Sequence, residues 1–153
     1  MNKLIIGCDP DVDGKGFAIY EGNVLTALRA FTLIELIPFF RDDCGHEIEL
    51  HIEDVAANSS SQFNWVKLPK KDKRKQDAIN AKISEKVGRC KQAQLEVEKI
   101  AEHFDIKIVR HKVSSKWKEG AVETNQFKRL TGWTGRSNPD TRSAAYFGYL
   151  GSR

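Results

Sequence analysis

Asp9, Glu53 and Asp140 are the residues of this chain best placed to do chemistry together, because each stands at the boundary of a regular pattern. Asp9 closes an apolar run inside Gly7-Cys8-Asp9-Pro10. Glu53, followed by Asp54, closes an alternating run that starts at Glu47. Asp140 follows Asn138-Pro139, a helix start. Acids that end strands lie at the sheet edge where open α/β folds place their sites, and a helix N-terminus favours negative charge. Gathered within a few ångströms and partly buried, three carboxylates repel one another, and a divalent cation relieves the conflict. Mg²⁺ suits such a set, since it takes oxygen ligands and keeps several waters. Two ions about 3.5–4 Å apart can activate water and stabilise the leaving oxygen of a phosphodiester. A structural account stays open, in which Asp9 caps the adjacent turn and Glu53 lies on an exposed strand face.

Other chemistries find less support. Asp9, Asp11 and Asp13 start like a calcium loop, but counting from Asp9 puts Lys15 at the seventh position and Tyr20 where the loop needs Glu. His46, His51, His103 and His111 lack zinc spacing, and Cys8, Cys44 and Cys90 form no CxxC pair. No GxxxxGK[ST] loop, GxGxxG fingerprint or Ser/Cys/His nucleophile motif is present.

Charge is distributed unevenly over the 153 residues. The net +4 divides into 4 basic and 11 acidic side chains over residues 1–66 and 21 basic and 10 acidic over 67–153. A basic half can hold a polyanion, which an acidic half repels unless a metal ion intervenes. That pairing suits an enzyme that cuts a phosphodiester backbone. The densest basic run is Lys67, Lys70, Lys71, Lys73, Arg74 and Lys75, with Phe63 and Trp65 just before it. We place 56–75 on a basic loop, where lysines hold phosphates and the aromatics either stack bases or anchor the loop. No run reaches the roughly 18 apolar residues of a membrane span, and no secretory signal opens the chain. A cytoplasmic location, in a bacterial or phage-infected cell, is the expectation.

The elements that must position these residues follow from periodicity. Strands are predicted at Lys3–Asp9, Gly16–Tyr20, Val24–Phe31, Glu47–Val55 and Ile106–Val113, the fourth half-buried with Ile48, Leu50 and Ile52 inward. Thr32 and Glu35 read as the cap of a short helix that contains Pro38. Gln76–Phe104 is the best helix, with an apolar stripe from Ile79 through Ile83, Val87, Cys90, Ala93, Val97 and Ile100 to Phe104; Gly88 inside it marks a break or a close approach. Val122–Leu130 and a final helix capped by Asn138 follow. The strand–helix–strand coupling at the centre implies a crossover, hence one α/β domain over 1–153 with a mixed sheet flanked by helices.

In this order the motifs resemble the RuvC-like Holliday-junction resolvases of the ribonuclease-H-like superfamily. Ile5-Ile6-Gly7-Cys8-Asp9-Pro10 followed by Gly16-Phe17-Ala18-Ile19 looks like their first hairpin and catalytic Asp, and Ile52-Glu53 like their Ile-Glu strand end. Gly88-Arg89 and then Val113 to Lys118, with Trp117-Lys118, look like their central helix and the basic turn after it, and the segment 128–132 followed by Asp140, Ala144 and Ala145 looks like the route to their last acidic helix. The resemblance implies a five-stranded mixed sheet and a homodimeric endonuclease that makes paired nicks in four-way and related branched DNA, leaving 5′-phosphates. It implies one or two Mg²⁺ per subunit, with Mn²⁺ as a substitute, held by Asp9, Glu53 and Asp140. The small size and terse loops suggest a bacteriophage member. The family carries two acids three residues apart on the last helix; this chain has Ser143 at the second position if Asp140 is the first, or Ser137 at the first if Asp140 is the second. One carboxylate is missing either way, and Ser143 is expected to ligate weakly or orient water, with Asp54, Asp11 or Asp13 as substitutes.

Lys116 and Lys118, then Arg142, are the candidates to stabilise phosphoryl charge. The basic run, with Arg89, Arg136 and Arg142, is expected to contact phosphates, and Phe63 or Trp65 to wedge at the branch. The long helix is the natural surface for pairing subunits, although its stripe could equally be spent on the sheet. Two alternatives stay open: a noncatalytic branched-DNA-binding protein on the same fold, and a related nuclease acting on flaps or RNA–DNA hybrids.

Overall fold

In the computed structural model, residues 3–11, 15–42, 46–57 and 72–153 are described. They form strands β1 (Lys3–Asp9), β2 (Lys15–Glu21) and β3 (Val24–Phe31), helix α1 (Leu33–Asp42), strand β4 (Glu47–Glu53), helix α2 (Lys73–His103), strand β5 (Lys107–His111) and helices α3 (Ala121–Thr131) and α4 (Pro139–Gly151). The sheet order is β3-β2-β1-β4-β5. The first three strands run antiparallel, and β1, β4 and β5 run parallel, which the α2 crossover between β4 and β5 permits. The result is a mixed five-stranded sheet flanked by helices.

Alternation along the strands divides the core into two layers. Leu4, Ile6, Cys8, Phe17, Leu50 and Ile52 pack with Leu36 and Phe40 of α1 and Val97 and Ala101 of α2. On the other face Ile5, Ala18 and Tyr20 pack with Trp117, Phe127, Ala144 and Ala145. Glycine decides how closely α4 approaches that second face. A Cβ on Gly7 would run into the carbonyl of Ala144, and one on Gly16 would run into the backbone carbonyl of Asp140. The first turn of α4 is thereby laid on the β1–β2 hairpin, close to the end of β1. Asn138 accepts from the Thr141 amide (2.8 Å) while the Thr141 hydroxyl accepts from the Asn138 amide (2.9 Å), so a reciprocal cap holds that turn.

Three expectations change. β4 is buried on both faces from Ile48 to Glu53 rather than half-buried, because helices cover the sheet on each side and β1 and β5 flank it. Its inward polar residues are paired instead of solvated. Glu49 takes Lys3 (3.0 Å), Lys107 (3.0 Å) and the His51 Nε2 (2.8 Å), and His51 Nδ1 meets His111 Nε2 at 2.7 Å. Burial alone would raise the Glu49 carboxyl, but these three partners outweigh it and hold it at about 2. The basic segment is shorter than 56–75, since Lys73, Arg74 and Lys75 belong to the first turn of α2.

The third change concerns α2 itself. Its 31 residues extend about 46 Å, while the seven of β1 or β4 extend about 23 Å. Ala93, Val97 and Ala101 are therefore buried on the sheet, whereas Ile79, Ile83 and Val87 lie on a half-covered overhang. Gly88 neither breaks the helix nor admits a neighbour, as a Cβ there would meet nothing within 4 Å. Pro38 sits inside α1 without ending it, the helix being held by Leu36 and Phe40 in the core and by the Thr32–Glu35 reciprocal cap. No described helix is long and apolar enough to cross a membrane.

Candidate functional site

A cavity of about 530 Å³ opens where the C-terminal ends of β1 and β4, the first turn of α4 and the α2 overhang meet. Asp9, Asp11, Glu53 and Asp140 give it an acidic wall. Lys118, from the turn after β5, and Lys86, from α2, add two cations; Val55, Ile83, Val87 and Val113 are apolar. Asp9 and Glu53 are almost wholly buried, at 2% and 5% exposure. The Lys118 ammonium stands 3.1 Å from Asp9 Oδ2 and 3.7 Å from Asp140 Oδ1, one third exposed.

The charge balance records how crowded the acids are. Burial first, and then the negative charge of Asp9, push the Glu53 carboxyl up to about 8; the Ser114 amide (3.4 Å) and Lys118 oppose the rise. A side-chain hydrogen bond with Asp9 adds to the rise of the Glu53 carboxyl. Burial and Asp9 raise the Asp140 carboxyl too. Burial would lower Lys118, but Asp9, Glu53 and Asp140 overcome it and keep the ammonium above its ordinary range. These are the marks of a site with more negative charge than its own residues neutralise.

As a donor set for a metal, the four carboxylates offer oxygen, which suits Mg²⁺ or Mn²⁺, and Cys90 on the same lining adds a single sulfur. Among the described residues no three His, Cys, Asp or Glu side chains stand close enough to share one ion. The fit is therefore to an ion that takes one or two of these carboxylates and completes its shell with water.

The structure brings Asp9, Glu53, Asp140 and Lys118 into one cavity and leaves other candidates out. Ser143 is fully buried one turn along from Asp140; its Oγ has no hydrogen-bond partner among the described residues, and it does not line the cavity. Asp54 turns to the opposite face, accepting from Gln94 (2.9 Å) and the Ala57 amide (3.3 Å). Asp11 lines the cavity; Asp13, Phe63, Trp65, Lys67, Lys70 and Lys71 lie outside the described residues. Lys116 is exposed beside the turn and outside the cavity lining. Arg89 is exposed and paired with Glu85 (2.6 Å), Arg136 is exposed near the start of α4, and Lys73, Arg74 and Lys75 are exposed on α2. Arg142 does not face solvent as a phosphate contact would. It is 9% exposed and its guanidinium donates to Trp117 O, Lys118 O and Ser137 Oγ. Lys86 was missed by sequence reasoning, although it lies four residues before Cys90 on the helix whose apolar stripe forms the cavity wall.

No protein-family model matches the chain, and no curated protein matches its sequence. Solved structures do. RuvC of Thermus thermophilus in complex with a Holliday junction substrate aligns over 98% of this chain and 93% of its own, with a TM-score of 0.54 at 11% identity. A second structure of T. thermophilus RuvC aligns over 97% and 92%, with a TM-score of 0.48 at 12% identity. The chain has the ribonuclease-H-like fold that RuvC has, reached through a very different sequence.

Proposed function

We propose that this protein is a divalent-metal-dependent endonuclease that nicks four-way and related branched DNA. The observation that carries the reading is the meeting of Asp9, Glu53 and Asp140, with Lys118 between two of them, at the strand ends of a RuvC-like fold. One or two of Asp9, Glu53 and Asp140 would hold an ion directly and the remaining acids of the wall, Asp11 among them, would meet its waters, with no carboxylate at Ser143. When bound, a divalent ion would supply an activated water and neutralise charge on the phosphate. Lys118, at the half-open lip, is placed to stabilise the negative charge that develops there.

The exposed cations Lys73, Arg74, Lys75, Arg89, Lys116 and Arg136 would contact the DNA backbone, giving affinity and salt dependence rather than base specificity. Two such sites in a homodimer would make paired nicks that leave 5′-phosphates, and α2 is the helix we assign to pairing, with half-covered Ile79 on its overhang outside the cavity that Ile83 and Val87 line.

A second reading, binding of branched DNA without cleavage, is favoured by two observations. Ser143 stands where the resemblance requires an acid, and no three carboxylates among the described residues are spaced to share an ion. End-labelled four-way DNA, matched duplex and RNA–DNA hybrid, each with Mg²⁺ or EDTA, separate the two. Symmetric junction nicks lost with EDTA and in Asp9→Asn support the nuclease. Junction binding with no nick in Mg²⁺ or Mn²⁺ refutes it, and preference for the hybrid moves the substrate class.

A further inference from the structure

The turn that delivers Lys118 to the acids is strained and is held from below. Trp117 has φ 61°, the left-handed region, which costs a non-glycine residue about 1 kcal/mol or more and persists only where its surroundings impose it. Its ring is 2% exposed against Phe127, Tyr146 and Tyr149, and its amide donates to Glu123 Oε2 at 2.7 Å. The two carbonyls of the turn are taken by one side chain. Arg142 Nε donates to Trp117 O at 3.0 Å and Nη2 to Lys118 O at 2.7 Å, while Nη1 reaches Ser137 Oγ at 3.2 Å. Arg142 lies two residues after Asp140 on α4, whose first turn rests on the β1–β2 hairpin. A planar guanidinium presents donors on three nitrogens in a fixed fork that spans two adjacent carbonyls and a hydroxyl, whereas the three donors of an ammonium radiate from a single nitrogen.

We infer that Arg142 is a positioning residue: its buried guanidinium ties the Trp117–Lys118 turn to α4, so that the Lys118 ammonium and the Asp140 carboxylate keep one fixed relation across the cavity. Arg142 touches neither acid. It acts through the backbone of Lys118, and this role rests on the nuclease reading only for its consequence in catalysis.

The test uses Arg142→Lys, which keeps the buried charge but loses the fork that holds the two carbonyls from separate nitrogens, with Arg142→Gln as the stronger variant if it folds, in a cycle with Lys118→Met. Single-turnover cleavage of a four-way junction should fall about 10- to 100-fold in Arg142→Lys with junction affinity unchanged. The double variant Lys118→Met/Arg142→Lys should then cleave no more slowly than Lys118→Met, because both changes remove one interaction. Losses that multiply, or that appear wholly in binding, overturn the inference. Hydrogen exchange decides the point even if the wild-type protein nicks nothing. The Trp117 and Lys118 amides should exchange at least tenfold faster in Arg142→Lys while β1 and α4 stay protected, and unchanged exchange at that turn overturns the inference independently of activity.

Discussion

Lys118 Nζ lies 3.1 Å from Asp9 Oδ2 across 109 residues of sequence, and the same ammonium lies 3.7 Å from Asp140. One lysine thus joins the end of β1, the turn after β5 and the first turn of α4. Substituting Lys118→Met should leave the acids mutually repelling and cost about 1–3 kcal/mol, part of the ion-pair energy being screened because Lys118 is one third exposed. Thermal melts should show the loss in EDTA and its partial recovery in millimolar MgCl₂. A melting temperature that ignores both the substitution and the metal would count against the acids forming a cation site.

The Glu53 carboxyl sets a pH dependence. Its folded-state value, about 8, lies above the ordinary 4.5, so between those limits the folded chain retains a proton that the unfolded chain has released. Stability therefore falls as pH rises through that window. Glu53→Gln removes the titration and should flatten the fall, gaining most over the wild type near its upper end. Denaturant melts across the window measure this directly; parallel slopes for the two proteins would show that Glu53 titrates normally.

Gly7 should be intolerant of any side chain. A Cβ there collides with the Ala144 carbonyl and comes within 2.6 Å of the Gly148 amide, both backbone and unable to turn aside. Gly7→Ala must push α4 off the sheet, at a cost on the order of 3 kcal/mol or more. Because α4 carries Asp140, the proposed junction cleavage should disappear with it. A folded, active Gly7→Ala protein would contradict the packing described for α4.

Gly88→Ala should do the opposite. Nothing among the described residues lies within 4 Å of the added methyl, and the position is helical with ordinary φ. Removing the extra freedom of glycine from the unfolded chain should stabilise the protein by about 0.5–1 kcal/mol. Chemical denaturation gives the sign. A loss of stability would place an unrecognised partner against this face of α2, in keeping with subunit pairing there.

Local chemistry carried much of the structure. β1 and β3 are bounded where the apolar runs meet Asp9-Pro10 and Thr32, α1 begins at the Thr32–Glu35 cap and α4 at Asn138-Pro139, because strand punctuation and helix caps involve residues within a turn of each other. Asp9, Glu53 and Asp140 were legible for the same reason, since each marks the end or start of such an element. What the sequence by itself determined was therefore the elements and the acids at their boundaries. Only the tertiary structure decided which face each side chain takes. Glu53 enters the cavity while Asp54 turns to Gln94, a consequence of strand alternation once helices cover both sides of β4. Glu49 and His51 read as solvated and are buried, because their partners Lys3, Lys107 and His111 come from strands that β4 meets only in the sheet. Arg142 read as a surface cation, but the rotation of α4 on Gly7 and Gly16 turns it inward onto a backbone turn 24 residues away. Pairings of that range depend on how elements pack, and no local pattern encodes them.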